Sequence, residues 1–261
     1  MATLAKRPLG ASGIVVSCLG LGTVKFGRNQ EVKYPTNFSL PSDREVEALL
    51  QQAKDAGINL LDTAPAYGSS EQRLGRLLKD RDQWVLCTKV GEEFLAGKSV
   101  YNFTGDYVKK SIKLSLRDLN TDYLDIVLIH SDGRDLHILN DTDCVEALQK
   151  LKNEGIIRAI GMSTKTIEGG LQAVENLDVV MVTYNEGAQE DGAVIDRALE
   201  LNKGVLIKKA MNSGHTATAE GGAEQALKFA LGKEGVSSVI IGTISPEHLQ
   251  ANINIGAELA S

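Results

Sequence analysis

Short apolar runs alternate with longer segments of helical periodicity along the chain. The runs 16–21, 58–61, 84–88, 124–130, 158–162, 179–184, 204–208 and 236–241 are rich in leucine and β-branched residues and often apolar on both alternating faces. That pattern predicts strands buried on two sides. Helix signals lie between them. Ser42-Asp43-Arg44-Glu45 is a capping-box pattern ahead of Val46, Leu49, Leu50 and Ala53, and Gly57 supplies the stop. Helices are likewise expected over 142–154, ended by Gly155, over 191–203, ended by Gly204, and over 224–234, ended by Gly235. Ser245-Pro246-Glu247 opens the last one with a cap and then proline at the first helical position.

The strand ends fall at Gly22, Asp62, Lys89, His130, Ser163, Asn185, Lys209 and Thr243, spaced 22 to 41 residues apart. Each interval holds a strand and a crossover helix. Eight such units predict an α/β chain folded as one (β/α)8 TIM barrel over 1–261. An open doubly wound sheet is the competitor; it would normally carry a Gly-rich fingerprint after its first strand, and Cys18-Leu19-Gly20-Leu21-Gly22-Thr23 leads into no helix. Ahead of the barrel, Arg7 to Val16 reads as a hairpin turning at Ser12-Gly13, placed to plug the barrel bottom. The Gly- and Ala-rich stretch 213–223 is expected to form a loop after strand seven.

Composition narrows the function. A formal net charge of −6 excludes a strongly basic nucleic-acid surface as the default, though a basic cleft for a small phosphate ligand is compatible with it. Cys18, Cys87 and Cys144 are too scattered for a disulfide framework and read as buried thiols. The first ten residues lack a signal-peptide core, and no run has the roughly 18 apolar residues of a membrane span. A cytoplasmic, monomeric protein with no membrane or nucleic-acid partner is expected.

Functional groups of such barrels sit at the carboxyl ends of the strands. Asp62 and Tyr67 follow strand two, Lys89 ends strand three and His130 ends strand four. Taken singly, each has a plain alternative: a buried ion pair for Asp62 or Lys89, a hydrogen-bonded core residue for His130, simple packing for Tyr67. Together, Asp62-Thr63-Ala64 with Tyr67-Gly68, Thr88-Lys89 and Ile129-His130 form a pattern that resembles the aldo-keto reductase superfamily. Leu19-Gly20-Leu21-Gly22-Thr23, Gly161-Met162-Ser163, Tyr184-Asn185 and Ile241-Gly242-Thr243 before Ser245-Pro246-Glu247 extend the similarity over nearly the whole chain.

The resemblance implies reduction of an aldehyde or ketone by a nicotinamide cofactor, NADPH first and NADH as the alternative. Its chemistry is coherent with the residues. A lysine ammonium beside Tyr67 would lower the phenol's pKa, Asp62 would hold Lys89 charged, and His130 would donate to the carbonyl oxygen. The four histidines show no metal-ligand spacing.

For the cofactor, the resemblance points to Gly22 and Thr23, to Ser163 at the carboxamide, and to Thr164 and Met181 where asparagine and glutamine are usual. Lys208 stands where a tyrosine commonly stacks on the ring. Gly242, Thr243 and His248 occupy the positions of a basic residue, a serine and an arginine that hold a 2′-phosphate, with Asn252 near the adenine. The loop through Asn212 and Gly214 and the helix start at Ser245 would receive the pyrophosphate, with Lys208 and Lys209 adding charge. Phe26, Trp84, Phe94 and Tyr101 are candidate pocket aromatics, Trp84 being better placed for the core. The short end after the last helix suggests an open, weakly selective site. Two other functions compete: a Schiff-base aldolase using Lys89, Lys208 or Lys209, and a non-catalytic nicotinamide-nucleotide sensor.

Overall fold

A computed structural model describes residues 4–34, 36–214 and 222–259. Its centre is a closed barrel of eight parallel strands. In chain order they are Leu19–Gly22, Leu60–Asp62, Val85–Val90, Leu124–His130, Ile157–Ser163, Val179–Thr183, Gly204–Lys208 and Ser238–Ile241, called barrel strands one to eight. Helices fill the connections, and the expected barrel is present; directly after Thr23, where the sequence pattern predicts no helix, the chain makes one short turn of helix, Val24–Gly27. Most of the 213–223 stretch lies outside the described residues.

The run expected as one strand at 16–21 is two. Val15–Ser17 pairs antiparallel with Lys6–Pro8, and a separate strand, Leu19–Gly22, enters the barrel. Ser17 makes the break: its Oγ donates to the Leu19 carbonyl at 2.6 Å, while its N–H donates to Asn59 Oδ1 at 2.7 Å. The hairpin covers the barrel bottom as expected. Leu9, Ile14 and Val16 pack into one apolar cluster with interior residues of the strands, among them Leu60, Val85, Ile126, Leu128 and Leu206.

The helices bury one stripe each against the outside of the barrel. Asp43–Asp55 forms behind a complete capping box, Ser42 accepting from the Glu45 N–H and the Glu45 carboxylate accepting from the Ser42 N–H. It buries Val46, Leu49, Leu50 and Ala53. Truncating one such leucine to alanine costs roughly 2–5 kcal/mol. The helix expected from 142 is Cys144–Asn153, preceded by a separate one, Asp135–Asp141. Thr142 separates them with extended backbone, its hydroxyl donating to the Ile138 carbonyl at 2.7 Å. Cys18, Cys87 and Cys144 are buried free thiols.

A second hairpin, Glu92–Leu95 with Lys98–Tyr101, rises from the end of strand three. It turns through Ala96 and Gly97, both at positive φ (50° and 81°), the geometry of a two-residue hairpin turn. It frames one side of the barrel mouth, where the functional side chains converge.

Candidate active site

Asp62 ends strand two and Lys89 lies in strand three, so adjacent parallel strands bring them side by side. Lys89 Nζ lies 2.6 Å from Asp62 Oδ1 and donates to the Thr63 carbonyl at 2.8 Å. The pair is buried, Lys89 being 1% exposed. Burial works against a charged lysine, but Asp62, with Tyr67 and Cys87 nearby, outweighs it and raises the pKa above the usual ammonium range. Lys89 is therefore a fixed cation.

Tyr67 arrives on a single turn of 3₁₀ helix, Pro65–Tyr67, started by the proline. Gly68 then leaves at φ 63°, and a Cβ there would stand 2.2 Å from the Gly27 carbonyl oxygen. This close approach pins the turn over the barrel mouth. The Tyr67 ring centroid is 4.7 Å from Lys89 Nζ. The lowered phenol pKa expected from that neighbour is not what the environment produces. Burial is the largest influence and pushes the phenol up, Lys89 pulls it down by less, and Asp62 adds to the rise. Lys89 shares its charge with Asp62, so the phenol meets a nearly neutral pair in a poorly solvated place.

His130 closes strand four with its ring edge-on to Tyr67, 6.2 Å between centroids at 88°. Its Nδ1 lies 2.9 Å from Glu92 Oε2. Glu92 also accepts from Ser99 Oγ at 2.6 Å and has Arg28 at 4.0 Å. Burial opposes the Glu92 carboxylate, yet His130, Ser99 and Arg28 hold its pKa down to about 2. Burial also lowers His130; Glu92 opposes this, while Lys89 and Lys208 reinforce it.

The ends of strands five to seven form the other wall. Lys208 Nζ donates to Ser163 Oγ at 2.8 Å and to the Thr164 carbonyl at 2.7 Å. Burial, with Lys209 and Lys165 adding repulsion, lowers its pKa to about 7. Thr164 Oγ1 is buried without a hydrogen-bond partner among the described residues. Met181 packs in the interior apolar cluster and presents no polar group to the mouth. Thr23 is buried, its hydroxyl donating to the Asp62 carbonyl at 3.0 Å and accepting from Ser70 Oγ at 2.8 Å.

Asn212 and Gly214 lie on one 3₁₀ turn beside the exposed Lys209, whose carbonyl accepts from Asn185 Nδ2 at 3.0 Å. Gly22 and Gly242 sit at the tips of strands one and eight, and Asn252 is buried in the last helix. At that helix start, Ser245 Oγ accepts from the His248 N–H at 3.1 Å and donates to Glu247 at 2.7 Å. The expected anion seat is thus already capped by the chain itself and carries an acidic side chain. His248 is exposed and Thr243 buried.

Two residues that pattern reading passed over reach the mouth. Glu92 comes from the second hairpin, whose Ala96-Gly97 turn between Phe94-Leu95 and Val100-Tyr101 was its available signal. Tyr34 comes from the irregular segment after Gly27; a side chain at Gly242 would meet its hydroxyl at 3.4 Å. Lys25 Nζ sits 4.0 Å from the Tyr34 ring centroid, and burial pushes that phenol up to about 12. Among the aromatics singled out, Phe26 and Trp84 are core, Phe94 lies under the Arg28 guanidinium at 3.6 Å, and Tyr101 stands 5.8 Å from Lys165 Nζ.

The buried lysine–carboxylate pair, the phenol above it and the histidine beside it, all at the carboxyl end of a (β/α)8 barrel, define a carbonyl oxidoreductase class of site. The chain belongs to the aldo/keto reductase family, whose model matches residues 18–191. It is 30% identical over 239 residues to a D-threo-aldose 1-dehydrogenase from a Pseudomonas species, covering 80% of this chain and 70% of that one. It is 33% identical over 212 residues to an NADH-specific methylglyoxal reductase from Escherichia coli, covering 75% and 61%. A solved Pseudomonas aeruginosa structure assigned to the aldo-keto reductases superposes with a TM-score of 0.91 at 44% identity, covering 100% of this chain and 98% of that one. The protein is an NAD(P)H-dependent oxidoreductase acting on carbonyl compounds. No described helix is long and apolar enough to cross a membrane.

Proposed function

We propose that this chain, acting as one barrel unit, reduces small aldehydes or ketones to alcohols, with Tyr67 delivering the proton and Lys89, Asp62 and His130 completing the catalytic set. The observation that carries the reading is the Asp62–Lys89 pair beneath the Tyr67 ring, with the His130 ring edge-on to it. The nicotinamide, when bound, supplies the hydride. The oxygen of the carbonyl group sits between the Tyr67 hydroxyl and His130. As charge grows on that oxygen, Tyr67 releases its proton to it, and the Lys89 ammonium stabilises the phenolate left behind. Asp62 keeps Lys89 charged and aimed. A lysine so held lacks the free amine that a Schiff base needs.

The polar groups present suit a carboxamide. Lys208 has one N–H uncommitted among the described residues, and the unpartnered Thr164 hydroxyl can accept. Gly22, Ser163, Asn212, Gly214, Gly242, Thr243 and Asn252 line the remaining course of the cofactor in this reading. NADPH is the proposed cofactor, supported by the basic rim of Lys33, Lys165, Lys208 and Lys209; burial first, and then their mutual repulsion, lowers the pKa values of Lys208 and Lys209. The protein is proposed to work as a cytoplasmic monomer without nucleic-acid partners.

The test follows absorbance of the reduced nicotinamide across a small aldehyde panel, with wild type and Tyr67→Phe. Turnover in the variant is expected to fall by roughly two orders of magnitude or more while cofactor affinity holds. Wild-type rates in Tyr67→Phe would remove Tyr67 from its role.

A further inference from the structure

The barrel mouth holds two lysines, Lys89 buried and Lys208 half-buried, in opposite electrostatic situations. Lys89 has Asp62 at 2.6 Å. Lys208 has no carboxylate among its hydrogen-bond partners, which are a serine hydroxyl and a backbone carbonyl. Asp191 and Asp135 act on its charge from a distance but do not bond to it. Asp135 accepts from the Lys165 and Thr166 N–H groups and the Thr166 hydroxyl, and Asp191 accepts from the Thr183 N–H. Lys165 and Lys209 face Lys208 with like charge. An unpaired ammonium in such a place is costly to keep, and its position bears on the reaction.

Ser163, to which Lys208 donates, is the register partner of His130 across strands four and five. The ammonium therefore stands one side chain away from where the carbonyl oxygen must sit. A hydride donor has to approach the carbonyl carbon to about 3–3.5 Å, so a bound nicotinamide ring would lie near the same ammonium. The ring is neutral in the reduced cofactor and cationic in the oxidised one.

We infer that Lys208 makes the site discriminate between the two forms of the cofactor, holding the reduced form more tightly than the oxidised one. The inference rests on the oxidoreductase reading above. Two unit charges about 7 Å apart at an effective dielectric near 20 correspond to a discrimination on the order of tenfold or more. The hydroxyl of Ser163 and the carbonyl of Thr164 fix the ammonium without neutralising it, as this role requires.

Calorimetric titration of the intact protein with NADPH and with NADP⁺ tests this, at about pH 6, where Lys208 is charged. The wild type is expected to bind NADPH on the order of tenfold or more tightly than NADP⁺. Lys208→Met should shrink that ratio by at least about fivefold, mainly by tightening NADP⁺, and Lys208→Arg should preserve it. Equal ratios in wild type and Lys208→Met, or equal losses in the Met and Arg variants, overturn the inference. If the Met variant does not fold, the wild-type ratio decides: a value of one or less overturns it. Absence of saturable binding of either form removes the oxidoreductase reading and this inference together, whereas binding without discrimination removes the inference alone.

Discussion

Glu92 Oε2 lies 2.9 Å from Nδ1 of His130, although the two residues belong to different elements and are far apart in sequence. The carboxylate comes from a hairpin that stands on strand three, and the imidazole ends strand four. Ser99 and Arg28 hold the carboxylate ionised beside the ring. Glu92 thereby opposes the lowering that burial, Lys89 and Lys208 impose on His130.

Replacing Glu92 by Gln removes that opposing charge. The His130 imidazole should titrate at lower pH than in the wild type, read from its ring proton shifts by NMR. Turnover should fall by roughly tenfold as the ring loses its anchor. An unmoved His130 titration would show that Glu92 does not act on the ring.

Lys89→Met leaves Asp62 as a buried carboxylate without its partner. Loss of one member of such a pair costs on the order of 3–5 kcal/mol. Denaturant unfolding should register this loss together with a collapse of turnover. A variant as stable as wild type would mean that the pair carries no stability.

Glu71 is 5% exposed and accepts from Thr88 Oγ1 at 2.6 Å. Burial raises its pKa from 4.5 to about 7. The folded protein therefore holds a proton that the unfolded chain releases over that interval. Its contribution is full below pH 4.5, declines as pH rises toward 7, and is then lost. Glu71→Gln mimics the protonated form. Across this window its stability relative to wild type should rise by up to about 3 kcal/mol, as measured by urea unfolding at several pH values. A constant difference between the two proteins would contradict the assignment.

At the adenosine end, His248→Arg supplies a permanent charge on the first turn of the last helix. NADPH should gain roughly 1–2 kcal/mol in calorimetric affinity with little change for NADH. Equal changes for both cofactors would show that residue 248 does not face the 2′-phosphate, because Glu247 and the Ser245 cap already occupy that helix start.

The chain's own pattern determined the barrel and the strand ends that carry Asp62, Lys89, His130 and Ser163. Two-sided apolar runs and glycine-stopped helices are local signals, and a strand end is visible wherever such a run meets a polar residue. Local signals also blurred one boundary: residues 16–21 look continuous, and only the Ser17 contacts with Leu19 and Asn59 break them into a plug strand and a barrel strand. Tertiary structure alone decided which charges meet. Glu92 reaches His130 because a hairpin stands over a neighbouring strand, and Tyr34 reaches Gly242 because an irregular segment crosses the mouth. It also reversed the expected direction for Tyr67, since desolvation depends on what closes around the phenol, and no residue type reports that in advance.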